Sequence, residues 1–249
     1  MKEYFGEILG TAIIVVIGCG SLALNTLYGW FNVPGAIALV WGLGVATAIF
    51  SSRSLCSAHL NPAVSVALFY QRRLSFNQLP FLLSAQLSGG VVGALILYGI
   101  FHNDIIQYEL MNSIQRDSLT GNLTAGIFTC HYPAPGNNSI ELSTAMAATL
   151  ELAGTFVLMS SILLTEKFNV HRNIQPFLIG LTVTVVILFI GSLTQAGLNP
   201  ARDLGPRIVN QLFGWQSLSI EKSNYLLVYI LAPVLGAVLA ARIFRFSSN

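Results

Sequence analysis

Charged side chains are scarce in this 249-residue chain: Asp, Glu, Lys and Arg make up 9% of it, against about 25% in a soluble domain. That deficit excludes a water-soluble globule, and a hydrophobic fraction of 54% with a mean hydropathy of +0.69 points to a chain that lives in lipid. Short segments alternating apolar and polar residues are missing, which excludes a membrane β-barrel. The three cysteines, Cys19, Cys56 and Cys130, are too few for a disulfide framework and too scattered for metal-ligand spacing. Neither a nucleophile beside a base nor a metal-binding cluster stands at membrane depth, so an enzyme, a cofactor and a resident metal all lack support. A net charge of +2 favours neither nucleic acid nor an acidic partner.

What is present is a set of six apolar runs, at 5–27, 33–51, 81–101, 142–164, 176–193 and 225–244, each near the ~20 residues a spanning helix needs. The first carries Glu7 and leads straight into further helices, so it reads as a mature span rather than a cleaved signal peptide. An even number of spans puts both termini on one side. Lys2, Arg53, Arg72, Arg73, Lys167, Arg172, Arg242 and Arg245 fall there, while the opposite loops hold only Arg116 and Lys222. The positive-inside rule then places both termini in the cytoplasm, with the chain crossing the cell membrane.

The tripeptide Asn-Pro-Ala occurs twice, at Asn61-Pro62-Ala63 and Asn199-Pro200-Ala201. Asn is a favoured N-cap and Pro a favoured first helical residue, so each copy predicts a helix start. The first such helix, Pro62–Tyr70, would cover about half of a ~30 Å hydrocarbon core. The rest of the chain repeats around these copies. Glu7-Ile-Leu-Gly10-Thr11 reappears as Glu151-Leu-Ala-Gly154-Thr155, Gly93-Ala94 pairs with Gly236-Ala237, and Gly42-Leu43 and Gly180-Leu181 stand equally far before their Asn-Pro-Ala. With three spans per half, the second half enters from the opposite face, so the two short helices dip toward one midplane from opposite sides. The expectation is an all-α membrane protein of six transmembrane helices and two re-entrant half-helices in an inverted 3+3 repeat. It forms one unit over 1–249: repeat 1 at about 1–102, a polar linker at about 103–140 and repeat 2 at about 141–249. Gly10, Gly42, Gly44, Gly89, Gly90, Gly93, Gly180 and Gly236 suit close helix packing in lipid. Asn122-Leu123-Thr124 and Asn137-Asn138-Ser139 fit glycosylation triplets.

Two helix N-termini converging at the midplane raise an electrostatic barrier to cations, hydronium included. Asn61 and Asn199 would sit on it, their amides either donating to a passing hydroxyl or spent wholly on capping. The residues just before them, Ser57, Ala58, His59 and Leu60 in one half and Gln195, Ala196, Gly197 and Leu198 in the other, would be non-helical backbone lining a wet passage with carbonyl acceptors. Glu7 and Glu151 are the acids well inside spans; the readings open to them are bracing those loops through their amides or relaying protons. His59 lines the passage, with a pH-dependent role open to it. Arg202 offers a fork of donors and repels cations, while Asp203 and Arg207, four apart, form a pair that shapes the entrance.

Taken together, Ser57-Ala58-His59-Leu60-Asn61-Pro62-Ala63-Val64, the run Gly197-Leu198-Asn199-Pro200-Ala201-Arg202-Asp203-Leu204-Gly205-Pro206-Arg207 and the two Glu-x-x-Gly-Thr openings resemble the aquaporins over essentially the whole chain. Asp203, Arg207 and the stretch Ala125-Gly126-Ile127-Phe128-Thr129-Cys130-His131-Tyr132-Pro133 resemble the aquaglyceroporin, or glycerol facilitator, branch. The resemblance implies an hourglass pore in each subunit of a homotetramer, passing glycerol and water passively while excluding protons and ions, with urea among further small neutral solutes. It maps the narrowest point onto Trp41, Ile187, Ala196 and Arg202. Glycerol facilitators usually carry Gly at the second of these and an aromatic at the third, and a Pro-Leu pair where Tyr229-Ile230 stands here. The alternatives are a water, ammonia or metalloid-acid channel of the same fold and, in a different class, an ion-coupled secondary transporter.

Overall fold

The computed structural model describes residues 1–31, 33, 35–137, 141–216 and 224–244. Lys222, Arg245, and Asn138 and Ser139 of the second glycosylation triplet lie outside them.

Nine helices are described, in the order α1 (Lys2–Tyr28), α2 (Ala36–Ser52), α3 (Pro62–Tyr70), α4 (Gln78–Met111), α5 (Asn122–Ala125), α6 (Thr144–Lys167), α7 (Gln175–Thr194), α8 (Pro200–Leu212) and α9 (Leu226–Ile243). Five of them, α1, α4, α6, α7 and α9, are long and apolar enough to cross a bilayer, and α2 at 17 residues reaches the short end of the spanning range. Local chemistry explains several of the ends. Asn61 and Asn199, in extended conformation, accept the first free amides of α3 and α8 with their side chains, each followed by Pro. Ser143 does the same for α6, and α1 stops where Gly29 turns left-handed and returns its N–H to Asn25 O.

α4 departs from the expected end of its span near residue 101. It continues to Met111, taking the first part of the expected polar linker into the helix. The extension is helical because its inner face is satisfied: Ile105 is buried, and Glu109 accepts from Arg116 and from Thr124 of α5. The first six residues of α9, Leu226–Leu231, are wound as π-helix.

The packing repeats with exchange. α1 packs on α2 and α4 as α6 packs on α7 and α9, and α2 crosses α7 between the halves. Each short helix lies against the last span of the other half, α3 on α9 and α8 on α4. Backbones meet at these crossings. A Cβ on Gly42 would stand 2.4 Å from Gly180 O and one on Gly180 2.3 Å from Gly42 O, while Gly90 and Gly205 play the same part between α4 and α8. The outward surface is apolar, as at Leu188 and Phe189, the latter 77% exposed, which suits lipid and not water.

Candidate functional site

The two short helices meet tip to tip, and each Asn finishes the other's loop. Asn61 Oδ1 accepts from Ala63 N (2.9 Å) and its Nδ2 donates to Leu198 O (3.0 Å); Asn199 Oδ1 accepts from Ala201 N and Arg202 N (3.0 and 3.2 Å) and its Nδ2 donates to Leu60 O (2.7 Å). Capping therefore uses the amide oxygens and the reciprocal tie uses one N–H of each Nδ2. Among the described residues no acceptor takes the second N–H of either amide.

The segments leading to those tips run through left-handed backbone at Ala58 and Leu60 (φ 54° and 53°) and at Gln195, Ala196 and Leu198 (φ 60°, 49° and 53°). For residues with a Cβ such angles cost about 1–2 kcal/mol each, so the surroundings must hold them. The carboxylates of α1 and α6 supply that hold. Glu7 accepts from His59 N and Leu60 N, both at 2.8 Å, and Glu151 accepts from Gly197 N and Leu198 N, both at 2.9 Å. Both acids are fully buried.

Two further residues serve these loops: Gln86, unremarked in the sequence, and Tyr229, marked there only as a departure from the glycerol-facilitator pattern. Buried Gln86 of α4 donates to Glu7 Oε2 (2.7 Å) and to Ser65 Oγ (2.9 Å), and Ser65 Oγ lies 3.1 Å from His59 Nδ1. A lone amide in an apolar span was the available signal. Counted back from the matching Gly-Ala pairs, Tyr229 holds the same repeat position as Gln86. Its hydroxyl donates to Thr194 O (3.0 Å) at the end of α7, and a Cβ on Gly197 would come within 2.8 Å of its ring.

Beside the tips runs a cavity of about 410 Å³. Trp41, Ile187, Ala196 and Arg202 line it, as do Asn61, Asn199, Ser57, Ala58, His59, Leu60, Gly197 and Leu198. Gln195 does not. Its side chain turns to the segment between α5 and α6, donating to Gly126 O (3.0 Å) and accepting from His131 N (2.8 Å); its placement along the passage is corrected accordingly.

Arg202 is 2% exposed. Its guanidinium stacks 4.4 Å from the Trp41 ring centre, Nη1 donates to Phe128 O (3.0 Å), and Nη2 has no partner among the described residues, a free donor on a group that lines the cavity. The Trp41 ring fits because position 18 is Gly: a Cβ there would meet it at 2.3 Å. Aliphatic Ile14, Val183 and Ile187 also line the cavity. Asp203 and Arg207 are buried together. They clamp Cys130 from both sides, Asp203 Oδ1 accepting its N–H (2.7 Å) and Arg207 donating to its carbonyl, which sets the segment that carries the Phe128 acceptor. Among the described residues no group of three or more His, Cys, Asp or Glu could hold a metal ion.

Spanning helices in two inverted halves, with a pair of half-helices abutting beside a narrow cavity, define an integral membrane protein of the channel class. The family model for the major intrinsic protein matches residues 1–244. The glycerol uptake facilitator protein of Pseudomonas aeruginosa is 36% identical over 249 residues, covering 98% of this chain and 87% of that one. That of Escherichia coli is 35% identical over 254 residues (98% and 86%), and the propanediol uptake facilitator of Salmonella typhimurium 33% over 247 (96% and 91%). Among solved structures, the aquaglyceroporin from Plasmodium falciparum superposes with a TM-score of 0.83 at 27% identity, covering 99% of this chain and 96% of that one. The chain belongs to the major intrinsic protein family.

Proposed function

We propose that this protein is a passive channel for glycerol and water, spanning the cell membrane with both termini in the cytoplasm and assembling as a homotetramer. The observation that carries the solute reading is the two-faced cavity: Arg202, the spare amide hydrogens of Asn61 and Asn199, and the loop carbonyls offer partners to hydroxyls, while Trp41 and Ile187 offer an apolar wall to a carbon backbone. Trp41, Ile187, Ala196 and Arg202 form the selecting constriction, Glu7 and Glu151 brace the loops, and Asp203 with Arg207 shapes the outer entrance. Arg202 and the facing helix N-termini keep cations and protons out. The relatives named for glycerol and propanediol uptake support a short polyol as the solute. The orientation draws support from Arg53 and Arg172, and from Arg73 and Glu166, meeting at one end, while Arg116 binds Phe213 O at the other.

The test is osmotic. Vesicles holding the purified protein, shrunk in glycerol, should reswell far faster than empty ones, and those shrunk in sorbitol should not. Reswelling in glycerol at the rate of empty vesicles would sink the reading.

A further inference from the structure

At the end of the cavity remote from Trp41 and Arg202, three arginines from three connecting segments converge. Arg53 follows α2, Arg73 follows α3 and Arg172 lies between α6 and α7; all three line the cavity, with Glu166 and Gln175 among them. Their charges are not balanced alike. Arg73 gives both terminal nitrogens to Glu166, at 2.7 and 3.1 Å, and that pair neutralises itself. Among the described residues Arg53 and Arg172 bond only neutral acceptors. Arg53 Nη1 donates to Arg172 O (2.7 Å) and Nη2 to Asn173 Oδ1 (3.0 Å), and Arg172 Nη2 donates to Arg53 O (3.3 Å). Among the described residues neither has a carboxylate within ion-pair distance, and Glu3, an acid near this mouth, accepts from Ser57 Oγ.

Two like charges are thus held at one mouth by each other's backbone, Arg53 further fixed over the Phe50 ring at 4.2 Å. Among the described residues no carboxylate pairs with either of them. A doubly charged phosphate offers what they lack, since a guanidinium fork matches its oxygens and charge-assisted bonds are about twice as strong as neutral ones. Such an anion could not travel on. The walls beyond include Val45, Ile49, Ile179 and Val183, and burying a dianion there has no compensation.

We propose that this mouth binds the phosphate monoester of a small polyol, Arg53 and Arg172 holding the phosphate while the polyol end enters the cavity, so that the bound ester obstructs flux. The polyol half of this inference rests on the proposed channel function; the phosphate half rests on the arginine pair. A channel obstructed in this way is throttled by the phosphorylated form of what it admits, the product class of a kinase acting on the solute.

The test uses glycerol 3-phosphate and inorganic phosphate as probes, by calorimetry on the full chain in detergent and by glycerol flux in vesicles. Glycerol 3-phosphate should bind and slow flux. Added outside alone it should slow only the channels inserted with Arg53 outward, and on both sides all of them. Arg172→Gln should weaken binding at least about tenfold and Arg172→Lys less, with slowing scored against each variant's own flux without anion. Equal slowing by inorganic phosphate would overturn the assignment to an ester. No slowing by either, or slowing untouched in Arg172→Gln, would overturn the site. Vesicles that pass no glycerol before any anion is added would instead count against the channel, while calorimetry still reads the arginine pair.

Discussion

Glu151→Ala strips the Gly197 and Leu198 amides of the acceptor they share while leaving those donors buried, at about 1–3 kcal/mol for each orphaned N–H. The thermal midpoint in detergent should fall well below that of the parent, with Glu151→Gln, which keeps one acceptor oxygen, in between. Ala196→Phe tests geometry rather than stability. A ring at a position that lines the cavity should cut glycerol flux in vesicles at least about tenfold and water flux less, because a three-carbon solute needs more width than water. At this scale the sequence speaks through residues out of place for their surroundings. Glu7 and Glu151 stand out in apolar spans, and Asn-Pro-Ala is a local helix-start signal that acts wherever it occurs. Gln195 misleads for the opposite reason: which way a loop side chain turns depends on left-handed angles that non-glycine residues do not announce. Gly18 was equally silent, since its job is defined by the Trp41 ring that lies on it.

Helices here are held by contact of backbone on backbone, and substitutions at the crossings should sort accordingly. Gly180→Ala puts a methyl group 2.3 Å from Gly42 O, which neither helix can yield without parting; a loss of about 1–3 kcal/mol or more, seen as lower recovery of folded protein and a lower midpoint, is expected. Gly99→Ala is the matched control. Beyond the helix's own backbone and the two neighbouring residues, no described atom lies within 4 Å of the added carbon on the exposed face of α4, so helix propensity should make it neutral or stabilising by up to about 1 kcal/mol. Element identity was readable because an apolar run of about twenty residues has few other uses. The end of α4 was not, because hydropathy marks where lipid stops, whereas Asn103 to Met111 stay helical through Glu109, Arg116 and Thr124, partners that meet only in the folded chain. The π-helical turn at Leu226–Leu231 has no sequence mark either; the run Leu-Leu-Val-Tyr-Ile-Leu would suit an ordinary helix equally well.

As a whole, the molecule offers a passage, and the proposed activity carries kinetic consequences. Glycerol entry into vesicles should rise in proportion to the gradient without a plateau at millimolar concentrations, and should not change when sodium and proton gradients are collapsed; saturation or gradient dependence would favour a carrier. Light scattering in mild detergent should report four copies per particle. The inverted halves also bear on how such a chain comes to be made. Asn61 finds the carbonyl that ties it to the chain only at Leu198, a residue encoded well over a hundred codons later, and Leu60 waits just as long for Asn199. During synthesis the early stub must therefore linger at the translocon with its donors and carbonyls tended by water or by a chaperoning surface, and a nascent chain cut short after the linker should be recognised and degraded rather than stored as a stable half.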